Sequence, residues 1–322
     1  MKEISINEIG PIRIGQVENV EAGTGCTVFI WDQDRGMHAG LDVRGGGPAS
    51  RETPLLSPIT AAQRIHGIVL AGGSAYGLSA AGGVMKYLNE RGIGFDVGVA
   101  KVPLVVQSDL FDLTVGKPDV YPDEAMGYEA ARRAFEEPNY QDGNFGAGCG
   151  ATVGKLCGME RCMKTGIGSY AVQVGDLKIG AVIALNALGD VYDWKNGMRI
   201  AGMLNDDKTA FADSPEEMRK SLEEAQTRFV ENTTLGVIIT NAKFHKPSLC
   251  KIAGLGHDGY ARSIRPVHTS LDGDSIYAVS VGDVVADREV VGLLSAEVIS
   301  EAIIRAVYSA DGAYGFPSAN DL

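Results

Sequence analysis

The sequence predicts an α/β sandwich in which antiparallel or mixed sheets lie between helices. Pairs of β segments alternate with pairs of helical segments instead of forming strict β-α-β units, which is typical of packed layers. The 322 residues suffice for one large domain or two ordinary ones. With 45% hydrophobic residues and a mean hydropathy of +0.00, the chain has the composition of a globular protein that buries a sizeable core.

The elements follow from hydrophobic periodicity, turn residues and helix-capping signals. In the first half we expect a hairpin of strands 26–32 and 37–43 closed by the turn 33–36, a loop at 45–54, a strand at 68–70, a helix to about residue 90, and an amphipathic helix at 123–137. In the second half we expect a Gly-rich loop at 143–155, β segments within 165–193, a helix start at 213–217, a strand at 234–240, a helix near 247–264, a strand at 275–281 and a helix at 294–309. The polar stretch 204–232 is expected outside the core.

Charge and motif spacing exclude several function classes. The net charge is −12, the pI is about 4.9 and no basic run occurs, so neither nucleic acid nor an anionic membrane is an expected partner. The five cysteines form no CxxC pair and the five histidines no HExxH motif, so no metal site or disulfide framework is indicated. The N-terminal segment lacks the apolar stretch of a signal peptide, and the cytoplasm is the expected compartment.

The Gly-rich loop at 143–155 does not match a nucleotide site. It ends in Gly154-Lys155, but Leu156 stands where a P-loop needs Ser or Thr, and Cys149 stands where it needs its first Gly. A Gly-x-Gly at 148–150 is only a fragment of a dinucleotide fingerprint. Nucleotide binding is therefore not expected.

A boundary between a charge-rich segment and an apolar, β-branched run lies at Asn232–Thr233. We interpret this peptide bond as one that the protein cuts itself, which would leave Thr233 as a free N-terminal residue. An α-amine with a pKa of about 7.7–8.0 is partly neutral near pH 7 and can accept the proton of the hydroxyl on the same residue. Asn before the bond tolerates unusual backbone conformations. Alternatively, Thr233 simply opens a strand, or Asn232 is a glycosylation acceptor in a secreted chain.

The tripeptide Asp272-Gly273-Asp274 precedes the predicted strand at 275–281 and has two readings. Asp-Gly is a frequent turn dipeptide, so a hairpin turn is one interpretation. In the other, one carboxylate holds the Thr233 ammonium, and its partner accepts a hydrogen bond from the hydroxyl or a neighbouring group and helps to pass a proton.

Six segments in order resemble the DmpA-like family of self-cleaving N-terminal-nucleophile hydrolases, which includes L-aminopeptidase/D-esterases, β-peptidyl aminopeptidases and nylon-oligomer hydrolases. The segments are Gly47–Thr53, Leu70–Leu78, Gly148–Lys155, Asn186–Val191, Asn232–Leu235 and His268–Asp274, and together they span nearly the whole chain. The resemblance implies a four-layer αββα sandwich for residues 1–322, cleaved into an α piece (1–232) and a β piece (233–322).

The same resemblance implies the roles of the site residues. Thr233 would be the nucleophile, with Asp272 and Asp274 as its carboxylate partners. Lys155 and Asn186 would lie beside it, Lys155 favouring the deprotonated hydroxyl by its charge and the Asn186 amide donating to the oxyanion. Tyr76 would occupy a tight turn beside the pocket and touch the substrate. Taken singly, each of Lys155, Asn186 and Tyr76 is better interpreted as a surface or packing residue.

Within the family, Thr at the cleavage point and Asp272-Gly273-Asp274 resemble the nylon-oligomer branch. The β-aminopeptidase branch differs, because its carboxylate motif is of the type Ser-x-Glu. The resemblance thus implies an endo-acting amidase on linear 6-aminohexanoate oligomers, working without metal or organic cofactor and assembled as a tetramer of αβ units. The open alternatives are a β-peptidyl or L-aminopeptidase or D-esterase, an ornithine acetyltransferase-like acyl transferase, and a non-catalytic oligomeric binding protein.

Overall fold

A computed structural model describes residues 1–31, 36–214, 216, 217, 219 and 232–322 of the chain. Its described α-helices are α1 (Ala80–Glu90), α2 (Glu124–Glu136), α3 (Lys246–Ser263) and α4 (Arg288–Tyr308). Its strands are β1 (Lys2–Ile4), β2 (Ile12–Asn19), β3 (Thr24–Trp31), β4 (His38–Val43), β5 (Ala49–Arg51), β6 (Gly67–Ala71), β7 (Phe95–Asp96), β8 (Lys101–Val102), β9 (Val105–Asp109), β10 (Thr152–Val153), β11 (Met163–Lys164), β12 (Ile167–Val174), β13 (Leu177–Ala184), β14 (Asp190–Tyr192), β15 (Arg199–Ala201), β16 (Leu235–Ala242), β17 (Ile264–Arg265) and β18 (Ser275–Val284).

Most strands belong to two mixed sheets. Sheet I has five strands in the order β2-β3-β6-β9-β5, and sheet II has six in the order β1-β12-β13-β16-β18-β4. Each sheet contains one parallel pair, β6 with β9 in sheet I and β16 with β18 in sheet II, and its other pairs are antiparallel. The prediction of antiparallel or mixed sheets is therefore confirmed.

The two sheets face each other and each carries helices on its outer face. Between the sheets, side chains such as Phe29 and Leu70 of sheet I meet Val237 and Val279 of sheet II in one apolar cluster. Helices α1 and α2 cover sheet I, and helices α3 and α4 cover sheet II, each through a further apolar cluster. This order of layers confirms the four-layer αββα sandwich.

Helix α2 lies unusually close to strand β2 in the first of these outer layers. A β-carbon built on Gly15 would stand 2.1 Å from the Ala130 carbonyl oxygen and 2.6 Å from the Ala134 nitrogen. Only a residue without a side chain permits this approach. The backbones of sheet and helix are therefore in direct contact.

The predicted hairpin of strands 26–32 and 37–43 is wrong. Strand β3 pairs with β2 and β6 in sheet I, whereas strand β4 pairs with β18 in sheet II. All eight residues of β3 are buried, so this strand needs a neighbour on each side within its own sheet. The chain therefore crosses from one sheet to the other, through residues 32–35, which lie outside the described part.

The last helix begins earlier than predicted, at Arg288 instead of residue 294. The Asp287 side chain caps it by accepting hydrogen bonds from the backbone N–H groups of Glu289 and Val290. The predicted helix start at 213–217 has a similar cap, since the Asp213 carboxylate accepts from the Glu216 N–H at 3.1 Å. The remainder of that helix, from 220 to 231, falls outside the described residues.

The described part of the polar stretch lies largely on the surface, with most of residues 205–210 exposed. Leu204 is buried, and Arg161 holds the stretch through ion pairs to Asp206 at 3.0 Å and Glu217 at 2.7 Å. None of the described helices is both long and apolar enough to span a membrane.

The parallel pair β16–β18 lies in the interior of sheet II, between β13 and β4. In a parallel pair both strands begin at the same edge of the sheet, and here Leu235 lies opposite Ser275. The residues just before each strand, 232–234 and 272–274, are therefore brought together although they are far apart in sequence.

Candidate active site

The ladder between β16 and β18 continues backwards beyond both strand starts. The Asn232 N–H donates to the Leu271 oxygen at 2.9 Å, and the Gly273 N–H donates to the Asn232 oxygen at 2.8 Å. Asp272-Gly273-Asp274 is thus an extended segment beside the predicted cleavage point. The hairpin-turn reading is wrong, because the sheet neighbours of β18 are β16 and β4, and the strand that precedes it in the chain, β17, pairs with β14.

Thr233 is buried at this junction, with 4% of its surface exposed. Its hydroxyl donates to the Asn232 carbonyl oxygen at 2.5 Å, and its N–H donates to the Asn186 carbonyl oxygen at 2.9 Å. The carbonyl of the predicted scissile bond therefore accepts two hydrogen bonds, one from the Thr233 hydroxyl and one from the Gly273 N–H. Both donors withdraw electron density from that carbonyl carbon.

Lys155 lies on the other side of Thr233, next to Asn186. Its ammonium donates to the Asn186 Oδ1 at 2.7 Å and lies 3.4 Å from the Asn186 backbone oxygen, which also accepts the Thr233 N–H. Burial lowers the pKa of Lys155 to about 8, against the opposing charges of nearby acidic groups that include Asp272 and Asp112. The side chain is therefore largely charged at pH 7 and loses its proton in the mildly alkaline range.

The Asn186 side chain is fully buried and fixed at both ends of its amide. Its Oδ1 accepts from Lys155 and from the Thr152 N–H at 3.1 Å, and its Nδ2 donates to the Phe111 oxygen at 2.9 Å. An amide nitrogen carries two protons, so one N–H remains beyond the bond to Phe111. The structure thus brings Asn186 beside Thr233, as predicted, and gives its amide one fixed orientation.

Asp274 contacts Thr234, the residue after the predicted nucleophile. Its Oδ1 accepts the Thr234 N–H at 2.9 Å, and its Oδ2 accepts both the His268 N–H at 3.1 Å and the His268 ring Nδ1–H at 2.8 Å. The carboxylate is 1% exposed. Three donors on this buried carboxylate hold it in one orientation.

Asp272 is also buried, and its carboxylate closes a turn of its own segment. Its Oδ2 accepts the Thr269 N–H at 2.9 Å and the Thr269 hydroxyl at 2.6 Å. Burial raises the pKa of Asp272, and the negative charge of Asp274 raises it further. The two predicted carboxylates therefore differ in their contacts. Asp272 accepts hydrogen bonds from Thr269 in its own segment, whereas Asp274 accepts one from Thr234, the residue before β16.

Tyr76 follows a tight turn, as predicted. Gly73 and Ser74 both have left-handed backbones, with φ of 83° and 51°. The Tyr76 ring is 61% exposed and stacks on Tyr121, with ring centroids 4.8 Å apart. It therefore lies on the surface and not against the buried Thr233 side chain.

The turn before Tyr76 is connected to the buried site through residues 110–112. The Asp112 carboxylate accepts the Gly73 N–H at 2.7 Å, and the Leu110 oxygen accepts the Ser74 N–H at 3.0 Å. The backbone oxygen of Phe111, between them, accepts a hydrogen bond from the Asn186 side-chain amide. The surface turn and the catalytic candidates thus share one short segment.

Sequence reasoning missed three contributors to this site: Asp112, Phe111 and His268. Asp112 and Phe111 carry no motif, and only the tertiary contacts reveal them. His268 begins the segment His268–Asp274 that resembles the family, but the resemblance implied no role for it. Its six-residue separation from Asp274 gave no hint of a contact, because the intervening chain forms an irregular turn. Within the ranges that the structure describes, no three His, Cys, Asp or Glu side chains group to hold a metal ion.

Comparison with known proteins identifies the family. The model of peptidase family S58 matches residues 5–319. The chain belongs to peptidase family S58. Among curated relatives of this S58 peptidase, an uncharacterized aminopeptidase of Mycobacterium leprae is 34% identical over 98% of this chain and 92% of its own. A 6-aminohexanoate-oligomer endohydrolase of an Agromyces species is 30% identical over 85% of this chain and 74% of its own.

A solved structure agrees with the architecture of this S58 peptidase. The L-aminopeptidase D-Ala-esterase/amidase of Ochrobactrum anthropi superposes with a TM-score of 0.69 at 16% identity, covering 95% of this chain and 86% of that one. It is described as a variant of the Ntn hydrolase fold. The resemblance drawn from the sequence is therefore confirmed at the level of family and fold, and the chain is a peptidase or amidase.

Proposed function

We propose that the chain cuts its own Asn232–Thr233 bond and then hydrolyses amides with Thr233 as an N-terminal nucleophile. The observation that carries this proposal is the Asn232 carbonyl oxygen, which accepts the Thr233 hydroxyl at 2.5 Å and the Gly273 N–H at 2.8 Å. A buried carbonyl held between the nucleophile's own hydroxyl and a backbone donor is set up for attack. A Thr that merely opens a strand has no need of this arrangement.

In the self-cleavage step the Thr233 oxygen attacks the Asn232 carbonyl carbon. The C–N bond breaks, an ester forms, and the proton of the hydroxyl ends on the Thr233 nitrogen, which becomes the α-amine. Water then hydrolyses the ester, which releases the Asn232 carboxylate and restores the Thr233 hydroxyl. The Gly273 N–H is the donor that stabilises the first oxyanion.

In the hydrolytic step the freed α-amine takes the proton of the Thr233 hydroxyl, which attacks a substrate amide. The charge of Lys155 favours the oxygen anion, and the second N–H of the Asn186 amide donates to the oxyanion. Asp274 orients the strand start through Thr234, and Asp272 balances the charge of Lys155. Water releases the acyl group with the same amine as base, and no metal or organic cofactor enters the scheme.

The substrate we propose is a linear 6-aminohexanoate oligomer. Thr at the cleavage point and the pair Asp272 and Asp274 favour this substrate. The Agromyces relative, a 6-aminohexanoate-oligomer endohydrolase, favours it as well. The exposed ring of Tyr76, stacked on the half-buried ring of Tyr121, offers an apolar platform for its methylene chain. The second candidate is an aminopeptidase, including the β-peptidyl and L-aminopeptidase or D-esterase types, which the Mycobacterium leprae relative favours.

We further propose that the two pieces, 1–232 and 233–322, stay together and assemble as a tetramer of αβ units. The C-terminal piece would carry β16 and β18, which lie in the middle of sheet II and pair with β13 and β4 of the N-terminal piece. Separation would expose both strands and the core between the sheets. Gel filtration with light scattering measures the assembly directly.

Incubation of the purified chain, followed by a denaturing gel and mass analysis, tests the proposal. We expect two bands, the smaller beginning at Thr233, and no cleavage or amidase activity in Thr233→Ala. Thr233→Ser keeps a hydroxyl and should still be cut. An active protein that stays whole, or a new terminus elsewhere, would refute the proposal, and an inactive intact chain would favour a binding protein.

Substrate identity is tested separately on cleaved enzyme, with 6-aminohexanoate oligomers, β-peptides and amino-acid p-nitroanilides compared by kcat/KM. Internal cuts in the oligomers support the endo-acting amidase, whereas release of single N-terminal residues supports the aminopeptidase. Transfer of the acyl group to an added amine in preference to water would support the acyl-transferase alternative.

A further inference from the structure

Behind Asp274, on the side away from Thr233, three aromatic polar side chains form a compact cluster. His268 comes from the loop before β18, and His257 and Tyr260 come from one face of α3, three residues apart. The His257 and His268 ring centroids are 4.7 Å apart, and the Tyr260 ring lies 5.4 Å from His257 and 6.0 Å from His268. We call these three residues the aromatic triad.

His268 is held in an uncommon backbone conformation to reach Asp274. Its φ is +59°, in the left-handed region, which is unfavourable for most side chains. In return both its N–H and its ring Nδ1 contact the Asp274 Oδ2, while the Asp274 Oδ1 binds Thr234. Asp274 thus bridges His268 and the residue after the nucleophile.

The proton positions in the triad follow from the partners. The His257 Nε2 faces the Asp42 carbonyl oxygen at 3.1 Å, an acceptor only, so Nε2 carries the proton and Nδ1 a lone pair. The His268 Nδ1 faces a carboxylate, so it too carries a proton. The His268 Nε2 and the His257 Nδ1 are buried, and neither has a hydrogen-bond partner among the described residues.

The Tyr260 hydroxyl is also buried and without a partner among the described residues, but its single proton can serve only one of the two ring nitrogens. If both imidazoles are neutral, at least one buried lone pair therefore lacks a donor, which is unfavourable. A second proton on the His268 Nε2 supplies a donor for the His257 Nδ1, directly or through one water. It also sets an imidazolium beside the Asp274 carboxylate.

His257 does not compete for that proton, because burial lowers the pKa of His257 to about 4. The other ionisable groups facing the two histidines are Tyr260 on α3 and, behind His257, Asp42 of β4 and Arg44 just after that strand, which form an ion pair at 2.9 Å. Asp272 and Asp274 are two neighbouring buried carboxylates, and of these two only Asp272 lies near the Lys155 cation. A positive charge on His268 would balance the carboxylate of Asp274.

We propose that His268 is a positioning residue of the active site, which as an imidazolium pairs with Asp274, keeps that carboxylate oriented and thereby fixes Thr233–Thr234 for self-cleavage. His268 touches neither the scissile bond nor a substrate and acts through Asp274. The inference rests on the proposed self-cleavage for its effect on rate, but the ion pair itself can be tested without it.

Two substitutions separate the charge of His268 from its hydrogen bond. Asn tolerates left-handed backbones and keeps an N–H donor but cannot be charged, whereas Gly relaxes the backbone and removes the donor. We expect His268→Gly to slow self-cleavage roughly tenfold to a hundredfold, the effect of losing a hydrogen bond to a charged group, and His268→Asn to recover part of that loss. His38→Asn, a histidine at the other end of β4, serves as the control.

The decisive readout is the ratio of wild-type to His268→Asn self-cleavage rates as a function of pH. Other titrating groups cancel in this ratio. It should be about threefold or more at the acid end of the pH series and fall toward one at the alkaline end, because only the wild-type side chain can carry the additional positive charge. A ratio independent of pH, or His268→Gly cleaving at the wild-type rate, would overturn the proposal.

Nitrogen NMR of the uncut Thr233→Ala protein tests the ion pair independently of any cleavage. The His268 signal is assigned by its loss in His268→Asn, and its titration midpoint should fall when Asp274→Asn removes the neighbouring negative charge. The His38 midpoint should not move. An unmoved His268 midpoint defeats the inference even if self-cleavage is real, and a shifted one sustains it even if Thr233 is never freed.

Discussion

Gly273 and Thr233 lie so close together that a β-carbon built on Gly273 would stand 2.5 Å from the Thr233 hydroxyl oxygen. The Gly273 N–H also binds the carbonyl oxygen of the bond that Thr233 is proposed to cut. One residue thus provides both the space for the nucleophile and the donor for the developing negative charge. Glycine at position 273 is therefore required by its closeness to Thr233 and not by a turn.

Gly273→Ala should therefore slow self-cleavage by about a hundredfold, because the added methyl group displaces the Thr233 oxygen from the carbonyl it must attack. Gel densitometry of the uncut chain over time measures the rate. Gly67→Ala is the matched control, since a β-carbon there would meet its nearest neighbour at 3.6 Å, an ordinary contact. Cleavage of Gly273→Ala at the wild-type rate would mean that the hydroxyl attacks from another position.

The pH dependence of self-cleavage should report Lys155, because the uncut chain has no α-amine at residue 233. Burial lowers the pKa of Lys155 to about 8, so its positive charge is present below that pH and is lost as the pH rises through it. We expect the rate contribution of this charge to disappear between about pH 7 and 9.

Lys155→Met should abolish that alkaline decline and lower the rate at pH 7 by about a hundredfold. Lys86→Met, on the outer face of α1, provides the control for loss of a lysine charge. Rates are taken from quenched samples across the pH series. If the self-cleavage rate of Lys155→Met declines at alkaline pH as the wild-type rate does, a group other than Lys155 causes that decline.

Asp274→Ala should slow self-cleavage by about tenfold to a hundredfold, since the Thr234 N–H and the His268 ring would both lose their acceptor. The comparison protein is Asp258→Ala, which removes an exposed carboxylate from α3. Thermal unfolding of both variants separates loss of fold from loss of rate. Self-cleavage of Asp274→Ala at the wild-type rate would mean that the Asp274 carboxylate does not contribute to the reaction.

Gly15→Ala should destabilise the fold by about 2–3 kcal/mol without altering the chemistry at Thr233, because its methyl group would collide with the backbone of α2. Urea unfolding gives the free energy, and Gly67→Ala is again the control within sheet I. Equal stability of the two variants would mean that α2 lies farther from β2 than the structure has it.

Several features were predictable because their signals are local. The strand after Thr234, the capped helix α2 and the strand at 275–281 follow from periodicity, β-branched runs and Asp caps within a few residues. The ordered segments from 47 to 274 were sufficient for the family. Lys155, Asn186, Asp272 and Asp274 were predicted as neighbours of Thr233 from that resemblance, and the geometry brings them together.

Other features depend on contacts between distant parts of the chain. The placement of β3 and β4 in different sheets, against the predicted hairpin, was decided by the burial of β3 on both faces. The contact of Asp274 with the start of β16 spans 40 residues and arises from the parallel pairing of β16 with β18. His268 gained its relation to Asp274 only through an irregular turn packed against α3.

By itself, then, the sequence determined where strands and helices form, which residues carry chemistry and to which family the chain belongs. Tertiary structure decided which strand edges meet and hence which atoms surround the Asn232 carbonyl. The physical reason is that periodicity and capping act over one or two turns of chain, whereas strand pairing is selected by the burial of whole faces in the assembled sandwich.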